Sequence, residues 1–107
     1  MGVMQLTTDT FAEKTKTGVA LIDFWAPWCG PCRALTPIVE ELAKELGDKA
    51  TVAKVNVDDE SALAQQFNVM SIPAIFVMKD GAVVDQFVGV QTKQVLTKAV
   101  AKALAKT

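Results

Sequence analysis

The chain has 107 residues, 50% of them hydrophobic and 21% charged, and eleven basic against twelve acidic side chains leave a net charge of −1. That length accommodates one domain with its own core and not two, and the charge balance excludes a nucleic-acid binder that draws its affinity from released counterions. No apolar run approaches the roughly 18 residues a bilayer span needs. MGVMQLTTD lacks the charged and apolar regions of a signal peptide, and Leu6 stands where an N-myristoylation pattern on Gly2 requires Ser or Thr. The expectation is a cytoplasmic, monomeric protein with one domain over residues 1–107 and neither nucleic acid nor membrane among its partners.

In chain order, VMQL (3–6) reads as a short strand, and Thr10 with Glu13 reads as a capping box for a helix around Phe11. VALIDFW (19–25) is almost continuously apolar, the pattern of a strand covered on both faces and so of a sheet with helices above and below. Leu35, Ile38, Val39, Leu42 and Leu46 form one helical stripe, closed by Gly47 as a left-handed residue. TVAKVNV (51–57) alternates as a strand, and Leu63 with Phe67 marks a short helix ending near Asn68. AIFVM (74–78), the turn KDG (79–81) and AVVDQFV (82–88) predict a hairpin. Thr92 caps a last helix with Val95, Leu96, Ala99, Val100, Ala103 and Leu104 inward and Lys93, Lys98, Lys102 and Lys106 in water. The order βαβαβ followed by αββα predicts an α/β layered fold with a mixed sheet, since the crossovers want parallel neighbours and the hairpin adds antiparallel ones.

The chemistry resides in WAPWCGPCRALTP (25–37), which holds Cys29 and Cys32, the only two cysteines, in a chain without histidine. A structural zinc site takes four ligands, so one Cys pair fills it only if a second chain supplies the other half. A permanent disulfide across so small a ring restrains the unfolded chain little, and reducing conditions oppose it. Inert buried thiols are a third reading, but one that leaves the intervening Gly-Pro unexplained. The spacing and the strand–helix context favour a redox-active dithiol. Cys29 falls at the start of the helix, with Pro31 in the first turn, where a missing N–H is tolerated; unpaired amides and the helix dipole there favour thiolate. Cys32 lies on the same helical face, where Cβ atoms stand about 5–6 Å apart, so the helix start must adjust for a bridge to close.

DFWAPWCGPC (23–32), Pro37, KVNVD (54–58), SIPA (71–74), KDG (79–81) and VGV (88–90) together resemble the thioredoxin family, in order and spacing, over essentially the whole chain. The resemblance implies a thioredoxin fold, with a central mixed sheet of about five strands and about four helices, and a protein-disulfide reductase in which Cys29 attacks and Cys32 resolves. It implies no bound cofactor: electrons come from NADPH or ferredoxin through a thioredoxin reductase, the second partner beside disulfide-bearing proteins. Asp23 becomes the buried group that takes the Cys32 proton, tuned by Lys54, although a solvent-facing aspartate and a solvated lysine are the plainer readings of each. The family carries a cis proline at Pro73, with Ile72 offering its backbone to an extended substrate. Trp28, Gly30, Pro31, Gly89 and Val90 complete an apolar docking surface, the glycines admitting a close partner backbone. For Trp25 core packing is the better reading, and for Pro37 a structural one, a kink through loss of the bond to the Arg33 carbonyl. Pro27, Ala74 and the Met70-Ser71 pair depart from the family's commoner residues and bear on partner preference. A non-enzymatic subunit that uses the same apolar surface is the reading from another class.

Overall fold

The computed structural model describes residues 2–106. Among them the elements run β1 (Met4–Gln5), α1 (Thr8–Thr15), β2 (Val19–Trp25), α2 (Gly30–Leu46), β3 (Thr51–Asn56), α3 (Ser61–Gln66), β4 (Ala74–Lys79), β5 (Ala82–Val88) and α4 (Lys93–Ala105). The five strands form one sheet in the order β1-β3-β2-β4-β5, with β1, β3 and β2 parallel and β4 and β5 antiparallel to their neighbours. This is the mixed sheet with four helices that the element order predicts.

The apolar run of β2 has its cause in two cores. Val19 and Leu21 pack with Leu35, Val39 and Leu42 of α2 and Leu96 and Val100 of α4. Ala20, Ile22 and Phe24 face the other way, toward Phe11 of α1 and Leu63 of α3. Side chains alternate along a strand, so Asp23 falls on the face that α2 and α4 cover. On the opposite face Phe11, Phe24, Phe67 and Phe76 form a cluster with ring centroids 5.1–5.7 Å apart, mostly edge to face, a preferred aromatic geometry.

Several local expectations are corrected. The first helix is capped by Thr7, not Thr10: Thr7 Oγ1 accepts from the Thr10 amide at 3.3 Å and Thr10 Oγ1 accepts from the Thr7 amide at 3.0 Å, a reciprocal box that Glu13 does not enter. In α4, Val95 and Leu104 are exposed, because α4 lies against α2, β2 and β4 along the narrower stripe of Leu96, Ala99, Val100 and Ala103. Lys93 is half-buried and bridges α4 to α2, its Nζ 2.6 Å from Glu41 Oε1 and 2.5 Å from Glu45 Oε2.

Gly47 ends α2 with φ 58° and ψ −122°, outside the left-handed helical basin expected of it and in a region that side chains disfavour. A Cβ there would meet nothing within 4 Å, so only backbone conformation demands glycine. Gly47→Ala is therefore expected to lower the unfolding free energy by about 1–3 kcal/mol in urea titration, with an unchanged m-value.

Candidate active site

The chain leaves β2 at Trp25, turns through Ala26, Pro27 and Trp28, and enters α2. Cys29 is the N-cap of that helix, with extended backbone (φ −88°, ψ 111°), and Gly30 and Pro31 form its first turn. The adjustment foreseen for the dithiol is thus made by Cys29 standing outside the helix rather than on its face. The two Cα atoms are 5.3 Å apart and the pair is in its disulfide form. Cys29 Sγ takes the place of a capping oxygen and accepts the Cys32 amide at 3.2 Å. No acidic residue lies in the first turn of α2, so the helix dipole acts on Cys29 without opposition from its own helix.

The turn is held from several sides. The Cys29 amide donates to the Ala26 carbonyl at 3.2 Å, and Arg33 Nη1 donates to the Pro27 carbonyl at 3.0 Å. Trp28 is 67% exposed, and its Nε1 donates to Asp58 Oδ2 at 2.9 Å. Trp25, by contrast, packs against Ala26, Cys29 and Cys32, the role expected of it.

The segment before β4 approaches the dithiol. The Ile72 carbonyl oxygen lies 3.9 Å from Cys29 Sγ, and the Ile72–Pro73 peptide is cis. The Pro73 ring is fully buried, so contact with a partner at this point falls to Ile72, which is half-buried. The Gly89 amide donates to the Pro73 carbonyl at 2.8 Å, and Val90 is exposed beyond it. Gly89 has φ +88° and open space around a Cβ, so its own backbone already calls for glycine. Gly30 has no such backbone, and a Cβ there would meet only Arg33 Nη2 at 3.9 Å. Two concavities, one lined by Val3, Gly18, Ala43 and Val52 and one by Gln5, Pro37, Glu40 and Lys54, include neither cysteine nor Trp28, Ile72 or Gly89.

Asp23 is 3% exposed, so the solvent-facing reading is excluded. It pairs in register with Lys54 on β3 and Ile75 on β4, and its Oδ1 has no hydrogen-bond partner among the described residues. Burial raises its pKa from 3.8 to about 7, and the positive charge of Lys54 works against the rise. Lys54 makes no ion pair with it; its Nζ sits 4.6 Å from the centroid of the Trp25 ring, close enough for a cation–π contact. Pro37 lies inside α2 and is exposed. No sequence motif assigns a role to Asp58 or Arg33. Asp58 stood within the KVNVD motif, but its partner Trp28 is 30 residues away, and no local pattern announces that contact.

A cysteine pair at the mouth of a helix, with Trp28 and Val90 exposed nearby in the fold and a carboxylate buried in the strand that leads to it, defines a thiol–disulfide oxidoreductase on a thioredoxin-type fold. The family model for thioredoxin matches residues 2–102. Thioredoxin of Bacillus subtilis is 45% identical over 104 residues, covering 97% of this chain and all of that protein, and thioredoxin of Staphylococcus aureus is 43% identical over the same span. A mutant thioredoxin from Halobacterium salinarum superposes with a TM-score of 0.90 at 32% identity, covering 99% of this chain and 94% of the other. Thioredoxin of Malassezia sympodialis does so with 0.87 at 34% identity, covering 98% and 94%. The chain belongs to the thioredoxin family.

Asp23 also predicts a pH effect on stability. Below about pH 4 the folded and unfolded chains both hold its proton; as pH rises toward 7 only the folded chain does, and stability falls until Asp23 ionises in both. Between pH 4 and pH 8 the oxidised protein is expected to lose about 2–4 kcal/mol that an Asp23→Asn variant does not lose, every other group being common to the two. Denaturant unfolding at the two pH values measures the difference; parallel pH profiles would remove Asp23 as its source.

Proposed function

We propose that this member of the family acts as a one-domain general protein-disulfide reductase in which Cys29 is the nucleophile and Cys32 the resolving thiol. The observation that carries the assignment is the capping position of Cys29: its sulfur alone of the pair receives a backbone amide at the helix N-terminus and lies beside the carbonyl of half-buried Ile72. The donated amide and the helix N-terminus favour a thiolate on Cys29.

An extended partner segment docks along Ile72, Gly89 and Val90, beside Trp28, Gly30 and Pro31. Cys29 thiolate attacks one sulfur of the partner's disulfide, forms the mixed disulfide and expels the first partner thiolate. Cys32 then loses its proton to the Asp23 carboxylate and attacks Cys29 Sγ. The Cys29–Cys32 bond forms, the mixed disulfide breaks, and the second partner thiolate leaves; protons from Asp23 and solvent complete the two thiols. Two electrons pass from the chain to the partner. A group that titrates near neutrality suits this transfer, because both its protonation states are populated at the working pH. Lys54 limits how far the Asp23 pKa rises, and Pro37 serves the shape of α2.

The family relationship brings disulfide-bearing proteins and a reductase as partners. Electrons from NADPH or ferredoxin, delivered by a thioredoxin reductase to a monomeric carrier without cofactor of its own in the cytoplasm, complete the reading. Its support is the all-protein chemistry of the dithiol and the absence, among the described residues, of any helix long and apolar enough to cross a membrane.

Reduction of insulin disulfides by dithiothreitol tests the roles of the two thiols. The wild type is expected to accelerate the reaction, with Cys29→Ser and Cys32→Ser both falling to the uncatalysed rate and only Cys32→Ser accumulating a mixed disulfide. A mixed disulfide trapped by Cys29→Ser instead would reverse the assignment, and equal rates with and without protein would refute reductase activity.

A further inference from the structure

We propose that Asp58 is a positioning residue for partner docking: it fixes the indole of Trp28 so that a partner meets an oriented apolar face and no free donor. The proposal rests on the reductase reading, since it concerns how a disulfide-bearing protein is met.

The backbone of the turn at Ala26–Trp28 is already held without Asp58, by the Cys29–Ala26 hydrogen bond and by Arg33 on the Pro27 carbonyl. What remains free to move is the Trp28 side chain, which is 67% exposed. Its Nε1 donates to Asp58 Oδ2 at 2.9 Å. Asp58 in turn belongs to an ordered turn. Its amide donates to Asn56 Oδ1 at 2.9 Å, the Asp59 and Glu60 amides donate to the Asn56 carbonyl at 3.2 and 2.9 Å, and the Val57 amide donates to the Trp25 carbonyl at 2.9 Å. The tie therefore runs from a mobile side chain to a fixed point.

Two consequences follow from the chemistry. A carboxylate accepting from an indole is a charge-assisted bond, but in this exposed setting water competes for both groups, so it adds little to global stability. What it does is select one orientation of a large ring before the partner arrives, and ordering a side chain in advance lowers the entropy lost on binding. With Nε1 occupied, Trp28 offers its π-face alone. The complementary feature is an apolar side chain flanking the partner's disulfide, packed on that face.

The tests are insulin reduction at varied insulin concentration with excess dithiothreitol, thermal unfolding, and solvent exchange of the Trp28 indole N–H by NMR. Losing one ordered side chain corresponds to a rise in KM of about three- to tenfold for Asp58→Ala, with kcat within about twofold and the melting temperature unchanged. The indole proton should exchange faster in that variant. Asp58→Asn keeps an acceptor oxygen and should restore both KM and slow exchange, and Asp58→Ala should add nothing to Trp28→Phe, where the tie is already gone. A normal KM in Asp58→Ala, a fall confined to kcat, a large loss of thermal stability, or an Asp58→Asn variant that stays impaired would each overturn the proposal. An inactive wild type would count against the reductase reading instead, and the indole-exchange comparison, which needs no turnover, would still decide whether the tie exists.

Discussion

Because β2 is paired along both edges and covered on both faces, it can deliver the chain to the dithiol from a fixed position. Its register with β3 and β4 places Trp25 opposite Asn56 and Phe24 opposite Ala74, so the turn carrying Cys29 emerges between the end of β3 and the start of β4. Those two neighbours supply the remaining parts of the site. The turn after β3 provides Asp58, and the segment entering β4 provides Ile72 and Pro73. Loosening β2 would therefore disturb the thiol, Ile72 and the Trp28 tie together, and Ile72 itself packs against the core formed by Ala20, Ile22 and Phe24 of β2.

Asp23 shows that arrangement working against stability. A carboxyl group in the interior of the central strand, with one oxygen unpartnered, is the kind of group that apolar packing would replace at a gain in stability. Its neighbours temper the cost only partly, since the cation that opposes the rise in pKa rests on the Trp25 ring rather than on the carboxylate. A solvated aspartate would stay ionised near neutrality and accept a proton poorly; burial is what would give this one the basicity that the proposed proton transfer needs. The same burial accounts for the destabilisation and would serve the proposed role.

Much of this was legible in the residues. The continuous run at 19–25 and the hairpin at 74–88 carry short-range signals, because a strand buried on both faces has no polar positions to interrupt it and a hairpin has its turn written between its strands. The site was legible as far as its chemistry lies in one segment, as Cys29, Gly30, Pro31 and Cys32 do. What escaped was set mostly by tertiary contact, the exception being the local pairing of Thr7 with Thr10. Thr7 outcompetes Thr10 as a cap because two threonines three apart can serve one another. Val95 and Leu104 belong to an apolar pattern wider than the face the sheet covers. Lys93 is drawn partly out of solvent by two glutamates on another helix, and Asp58, though exposed, is engaged by an indole from another loop.

The docking surface bears on how widely such a protein acts. As proposed, it consists of the Ile72 backbone, Gly89, Val90 and one face of the Trp28 indole, whose Nε1 engages Asp58. Backbone groups and apolar faces read the extended shape of a partner more than its sequence, so partners are tolerated broadly. Selectivity must then arise at the margin. Met70 is 93% exposed two residues before Ile72, and a flexible thioether adapts to irregular apolar surfaces. In the proposed reductase, an apolar rather than charged margin would favour partners whose disulfides sit among apolar side chains, without any change to the dithiol.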